Sequence, residues 1–241
     1  MIRWPTAPDS LPPLADNVHI WAVALTDAGF DARLWLRQLS VDEQERADRF
    51  KFADDRRCYI VAHVALREVV GGYLKIAGED LEFITGENGK PRLANALAES
   101  ALEFNLSHSH ELALIAVSRG RVVGVDIEYV KSDFEFHEVA KHFFTAREVA
   151  ALSALPPRLQ RRAFYKCWTS KEAFLKAKGV GLSGALDEVE IADDAGNRVK
   201  IDAAVTGWSL TELDPRDGYE GALVVEGGAA PIFCYRWRGI S

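Results

Sequence analysis

Covalent or metallic staples are scarce in this 241-residue chain. The three cysteines, Cys58, Cys167 and Cys234, are far apart and odd in number. That spacing excludes a disulfide framework and a cysteine zinc site, and it suits a reducing, cytoplasmic setting. The longest uninterrupted aliphatic run, Leu112 to Val117, is six residues, against the roughly 20 that a membrane helix requires. The opening Met1-Ile2-Arg3-Trp4-Pro5 lacks the apolar core of a secretory signal. Positive charge is in deficit, 29 Lys and Arg against 36 Asp and Glu, for a net −7. This argues against general nucleic-acid binding, which needs a basic surface, but leaves room for local basic patches around a small phosphorylated ligand. What remains is ordinary: 48% hydrophobic and 27% charged residues place the chain among soluble globular proteins. Its length suits one large domain or two of about 120 residues.

The chain repeats itself. Val18 to Leu25 and Val122 to Val130 both alternate like strands, about 105 residues apart. Ser40-x-x-Glu43 and Thr145-x-x-Glu148 each open a helical segment with a capping-box pattern, offset by 105. Arg56-Arg57 leads a long helix to about Ile76, and Arg161-Arg162 another to about Lys178, again offset by 105. Leu81-Glu82-Phe83 and Val189-Glu190-Ile191 read as strands offset by 108, and Glu111 to Val117 resembles Glu220 to Val225, offset by 109. A duplicated strand–helix–helix–strand–strand unit follows, joined near Arg119-Gly120-Arg121. The expected fold is α+β: two similar halves, residues 1–119 and 120–241, related by a pseudo-twofold axis. Each half pairs a mostly antiparallel sheet with a long helix, and the cleft between them is a natural ligand site.

The side chains able to do chemistry gather mainly in the second half. Asp126 and Glu128 lie two apart in Val122 to Glu128, so a strand turns both carboxylates to one face and Val125 and Ile127 to the other. A hard divalent cation would relieve their repulsion; a solvated acidic strand face would also account for them. On the helix from Leu159 to Lys178, Phe164, Cys167, Trp168, Phe174 and Leu175 form an apolar stripe. Glu172 and Lys176 edge it at the spacing of a stabilising surface pair, and Lys171 falls inside it, where its stem could snorkel. Glu148 is explained by its capping box with Thr145. Phe104-Asn105-Leu106-Ser107-His108-Ser109-His110 suits an anion site or a polar turn, and Asn88-Gly89-Lys90-Pro91 is a turn with a lysine at its exit. Arg46 and Arg49 are interleaved with acids, whereas Arg158, Arg161, Arg162 and Lys166 make a basic flank suited to an acidic partner. Gly179-Val180-Gly181-Leu182 reads as a helix stop, and no nucleophilic triad is evident.

Taken in order, Asn88-Gly89-Lys90-Pro91, Phe104 to Ser109, Gly124-Val125-Asp126-Ile127-Glu128, Phe143-Phe144-Thr145 with Glu148, and Trp168-Thr169-Ser170-Lys171-Glu172-Ala173-Phe174 with Lys176 resemble the motifs of the 4′-phosphopantetheinyl transferases. The length and the twofold repeat are similar to the surfactin-synthetase-activating, Sfp-like branch. The resemblance runs from about Ser40 to Leu182.

That resemblance implies transfer of the phosphopantetheine arm of coenzyme A to a serine of an apo carrier protein, with release of adenosine 3′,5′-bisphosphate, by a cytoplasmic monomer. By motif, Asp126, Glu128 and Glu172 would coordinate Mg²⁺, or Mn²⁺, and Lys176 would reach the pyrophosphate. Lys90 and Pro91 would line the nucleotide pocket, and Ser107 and His108 would contact phosphates. Glu172, or Glu148 through water, would accept the serine proton. Arg46 matches a basic position that meets the 3′-phosphate. A second basic position falls on Glu43 and a small hydroxyl position on Tyr59, so Arg49 or Arg56 is expected to substitute. Two rival classes use the same residues: a metal-dependent phosphodiesterase or nucleotide hydrolase, and a non-catalytic carrier-docking module.

Overall fold

The computed structural model describes residues 3–8, 11–26, 31–86, 90–180, 191–193, 199–201 and 207–238. The expected turn at Asn88-Gly89, the Gly181-Leu182 stop and Val189-Glu190 lie outside them. The first series of elements is Val18–Ala24 (β1), Ala32–Leu36 (α1), Val41–Asp48 (α2), Ala53–Leu74 (α3), Phe83–Thr85 (β2), Pro91–Leu93 (β3), Leu102–Ser109 (β4) and Leu112–Arg119 (β5). The second runs in the same order: Val123–Tyr129 (β6), Phe136–Phe143 (α4), Ala146–Ala154 (α5), Pro157–Lys178 (α6), Ile191–Asp193 (β7), Val199–Ile201 (β8), Trp208–Leu213 (β9) and Tyr219–Glu226 (β10). Both series hold a short extra helix not foreseen in sequence and a short hairpin, whose first strand starts at Phe83 and at Ile191, the last residue of each expected strand. Ile232–Arg236 (β11) closes the chain's described strands.

Local chemistry sets the boundaries. Ser40 and Thr145 each form a complete capping box, with Glu43 and Glu148 respectively. Pro157 opens α6 at a position where no intrahelical N–H is needed, and Gly179, at φ 70°, ends it in the left-handed conformation.

The fold is α+β, in four layers. One sheet has the order β11-β1-β5-β4 and the other β6-β10-β9. Among the described strands of these two sheets, the pairings are antiparallel except β1 with β11. The last strand therefore lies in the first sheet, although a division at residue 119 assigns it to the second half. Alternation along β1 and β5 splits the core: Trp21, Val23, Ile115 and Val117 meet α3, while Val18, Ile20, Leu114 and Ala116 meet Val123, Val125, Ile127 and Leu223 of the second sheet. That sheet's other face, through Ala222 and Val224, packs on Ala173, Phe174 and Ala177 of α6. No helix among the described residues is long and apolar enough to cross a membrane.

Candidate functional site

Strands β4 and β6 run side by side where the two sheets adjoin, and polar side chains of β4 stitch them together. Asn105 Oδ1 accepts from Val125 N at 2.8 Å, and Ser107 Oγ donates to Asp126 Oδ1 at 2.8 Å. Ser109 Oγ donates to Glu128 Oε2 at 2.7 Å and accepts from Tyr129 N at 3.1 Å. Strand periodicity puts residues 105, 107 and 109 on one side of β4, and that is why three small polar residues recur at every second position. Asn105 and Ser109 are members of this seam that no role had been assigned to from sequence; their alternation with Ser107 was the available signal.

Helix α6 closes over the other side of β6. It comes so near that a Cβ on Gly124 would collide with Ala173 O and Ala177 N. Only a glycine lets the helix backbone descend to this level. The result brings Lys176 Nζ to 2.6 Å from Asp126 Oδ1 and 2.8 Å from Ser107 Oγ. Asp126 is 3% exposed, so this is a buried cation–carboxylate–hydroxyl cluster, not a surface pair.

Glu172, one turn before Lys176, belongs to the same field. Burial first, then the charge of Asp126 and, to a lesser extent, of Glu128, push its pKa up to about 7 against the pull of Lys176. Glu128 is raised likewise, by burial and then by Asp126, with the Ser109 hydrogen bond opposing. Asp126 Oδ2 and Glu172 Oε1 are buried without a hydrogen-bond partner. Two orphan carboxylate oxygens among mutually repelling acids fit a hard divalent cation, which prefers oxygen donors. Among the described residues, no three potential ligands already converge on one point; Asp126 Oδ1 is turned to Lys176 and Glu128 Oε2 to Ser109.

The other expected site residues divide. Lys90 Nζ reaches the carbonyls of Val123 at 3.1 Å and Ala177 at 3.5 Å, joining the start of β3 to both elements of the site. Burial lowers its pKa. Pro91 follows it as the first residue of β3. His108 keeps exposed ring surface, yet desolvation in the cleft, then the positive field of His63, Lys176 and Arg46, lowers its pKa. Arg46 sits over the Tyr59 ring, 5.8 Å from its centroid. Arg56 pairs with Asp48 at 2.8 Å, and Arg49, largely exposed, lies 3.9 Å from Glu45.

One expectation, for Lys171, is corrected, and it turns on the setting of Glu148. Its Oε2 accepts from Thr145 N at 2.7 Å and pairs with Lys171 Nζ at 2.8 Å, and its Oε1 faces Cys167 Sγ at 3.7 Å. Lys171 does not snorkel: it is fully buried, 5.6 Å from the Phe144 ring centroid, because the buried carboxylate gives its charge a partner. The basic flank of α6 is largely satisfied internally. Arg161 donates to Lys131 O at 2.9 Å and Phe134 O at 2.7 Å, Arg162 bonds Glu220, and Lys166 bonds Glu212 at 2.6 Å.

Comparison with known proteins finds relatives for both halves of the chain. Residues 122–224 match the family model described as the 4′-phosphopantetheinyl transferase superfamily. Residues 29–120 match the one described as 4′-phosphopantetheinyl transferase, N-terminal. The chain is 39% identical over 231 residues to the 4′-phosphopantetheinyl transferase HetI of Nostoc sp., covering 95% of this chain and 97% of that one. It is 31% identical to the 4′-phosphopantetheinyl transferase Sfp of Bacillus subtilis over 68% of this chain and 70% of the other. A solved Thermotoga maritima holo-acyl-carrier-protein synthase aligns at 22% identity and TM-score 0.37, over 45% of this chain and 65% of that one.

Proposed function

The chain belongs to the 4′-phosphopantetheinyl transferase superfamily, and from that premise we propose that it moves the phosphopantetheine arm of coenzyme A onto a serine of an apo carrier protein. The observation that carries the reading is the meeting of Ser107, Asp126, Glu172 and Lys176, from β4, β6 and α6, with two buried carboxylate oxygens left unpartnered. A phosphodiester centre built on a single strand or helix would not need this convergence.

In this reaction the serine oxygen attacks the phosphorus that bears the pantetheine. The P–O bond to the adenosine-side phosphate breaks, and adenosine 3′,5′-bisphosphate leaves with the electron pair. Lys176 donates to the diphosphate and stabilises charge on the departing oxygen, with Ser107 in contact beside it. Glu172, with a pKa near 7 in the metal-free protein, accepts the serine proton close to neutral pH. Lys90 and Pro91 border the adenosine end, and Arg46 and His108 meet a further phosphate. Asp126, Glu128 and Glu172 would hold a divalent ion, Mg²⁺ or Mn²⁺, whose chemistry is to neutralise the diphosphate and favour in-line displacement. Ser107, Asp126, Glu172 and Lys176 come from one chain, which supports a monomer as the working unit. Its three free cysteines suit a reducing cytoplasm.

The test is mass spectrometry of several apo carriers after incubation with coenzyme A and Mg²⁺. The expected result is the added mass of the arm, its loss with a chelator, and its return with Mg²⁺ or Mn²⁺. Steady release of adenosine 3′,5′-bisphosphate without any carrier would instead identify a hydrolase.

A further inference from the structure

A second group of basic side chains gathers on α2 and α3. Its organiser is Glu43, at a place where the family pattern expects a base. Glu43 Oε1 lies 3.1 Å from His63 Nδ1, and its Oε2 accepts from Arg67 Nε at 2.7 Å and from Ser40 N at 2.9 Å. Burial would raise the Glu43 pKa, but the His63 hydrogen bond and the Arg67 charge outweigh it and leave the value at about 2. Arg67 is 1% exposed and also donates to Gly78 O and Leu81 O. The negative charge of Glu43 is therefore matched from inside the fold by Arg67.

His63 and Arg46 share one aromatic platform. The His63 ring lies on Tyr59 with centroids 4.1 Å apart at 31°, and the Arg46 guanidinium carbon is 5.8 Å from the same ring. The positive field of both reaches His108. An anionic carboxylate can only accept, so Nδ1 of His63 is a donor. Its Nε2 remains for something else.

Coenzyme A carries one phosphate besides its diphosphate, the monoester on the ribose 3′ oxygen. With the diphosphate assigned to Lys176 and the acidic centre, we propose that His63, oriented by Glu43 and stacked on Tyr59, binds the 3′-phosphate together with Arg46 and His108. This rests on the coenzyme A reading above. A phosphate dianion at Nε2 and a carboxylate at Nδ1 let an imidazolium donate to both, and charge-assisted bonds of this kind are the strong ones. The cation missing from position 43 is thereby replaced from the neighbouring helix, and Glu43 becomes its support.

The competing role is a plain staple between α2 and α3, and a donor pair separates the two. Transfer is measured with coenzyme A and with 3′-dephospho-coenzyme A, for His63→Ala, His63→Gln and His63→Arg. Loss of one charge-assisted contact should lower kcat/KM for coenzyme A about 10- to 100-fold in the Ala and Gln variants. Their kcat/KM for the dephospho donor should be unchanged, and His63→Arg should keep the preference for coenzyme A. Calorimetry adds a readout independent of carrier or turnover: the same two variants should weaken adenosine 3′,5′-bisphosphate but not adenosine 5′-phosphate. An equal fall for both donors, or no change for either, overturns the assignment to His63. A wild-type protein that binds the bisphosphate but transfers nothing overturns the transferase reading, while the calorimetric comparison still decides the role of His63.

Discussion

Lys176 Nζ and Asp126 Oδ1 lie 2.6 Å apart although 50 residues separate them in the chain. The contact joins α6 to β6 at the point where Ser107 of β4 also arrives. Removing the carboxylate leaves the ammonium with the hydroxyl alone and takes away a central acid of the site. Asp126→Ala is expected to lower turnover by about 10³-fold or more, the scale of losing a main electrostatic stabiliser, with far-UV circular dichroism unchanged. Near-normal transfer would refute the assignment.

Glu172 makes the site unstable on its own. Its folded pKa of about 7 lies above the ordinary 4.5, so between these values the native state binds more protons than the unfolded one. Stability from this group is full below about 4.5 and is lost as pH rises through 7. Glu172→Gln should therefore stabilise the metal-free protein at pH 8 by about 1–2 kcal/mol, after allowing for the group's part exposure, and leave stability at pH 4.5 little changed. Transfer should disappear in the same variant. Chelator-treated melts at the two pH values check this, and a destabilised Gln variant at pH 8 would contradict it.

His19 gives the opposite slope. It is wholly buried on β1, its Nδ1 2.7 Å from the Tyr73 hydroxyl and its Nε2 unpartnered, with Phe233 and Tyr235 of β11 packed against the ring. Burial lowers its pKa from 6.5 to about 4. The unfolded chain takes up a proton that the native ring refuses, so stability falls as pH drops from 6.5 toward 4, by up to about 3 kcal/mol from this residue. Urea midpoints across that range should flatten in His19→Phe, whose Tyr73 hydroxyl keeps Trp21 Nε1 as a partner at 3.2 Å.

Glu148 and Lys171 are both buried and pair at 2.8 Å. Breaking such a pair from one side costs about 3–5 kcal/mol, whereas replacing both members with neutral groups is far milder. Lys171→Met should therefore lower the melting temperature sharply, and Lys171→Met with Glu148→Gln should recover much of it. Glu148→Gln should keep kcat within about tenfold for the folded fraction, because its carboxylate is engaged by Lys171 and the Thr145 cap. A 10³-fold loss of kcat in a stable Glu148→Gln protein would mark it as a base.

Gly124→Ala should remove both stability and activity. The new methyl would overlap backbone atoms of α6 at Ala173 and Ala177, and backbone cannot rotate away as a side chain can. Pushing the helix outward separates Asp126 from Lys176. Gly72→Ala in α3, where an added Cβ meets nothing within 4 Å, is the control and should gain about 0.5–1 kcal/mol. Thermal melts and transfer assays of both proteins distinguish a packing effect from a general intolerance of alanine.

The two capping boxes, the long helices and the strand alternation were legible in sequence because each is set within a few residues. Ser40 and Glu43, or Val125 and Ile127, carry their signal at fixed local spacing. The long helices begin at Ala53 and Pro157, slightly before the arginine pairs that marked them. The short helices α1 and α4 were not foreseen, since five to eight residues leave little periodicity. Lys171 showed only as an anomaly in an apolar stripe, because its partner Glu148 lies 23 positions away in the numbering. His63 had no signal at all: its importance depends on Glu43 and Tyr59 meeting it across two helices.

By itself, the sequence determined the order of the longer elements, the repeat and the identity of the acids on β6 and α6. These follow from periodicity, capping and residue chemistry read along the chain. Only the tertiary structure decided which charges face one another: Asp126 with Lys176, Glu148 with Lys171, Glu43 with His63 and Arg67. Coulomb and hydrogen-bond energies depend on distance in space and on burial, and packing of the four layers sets both.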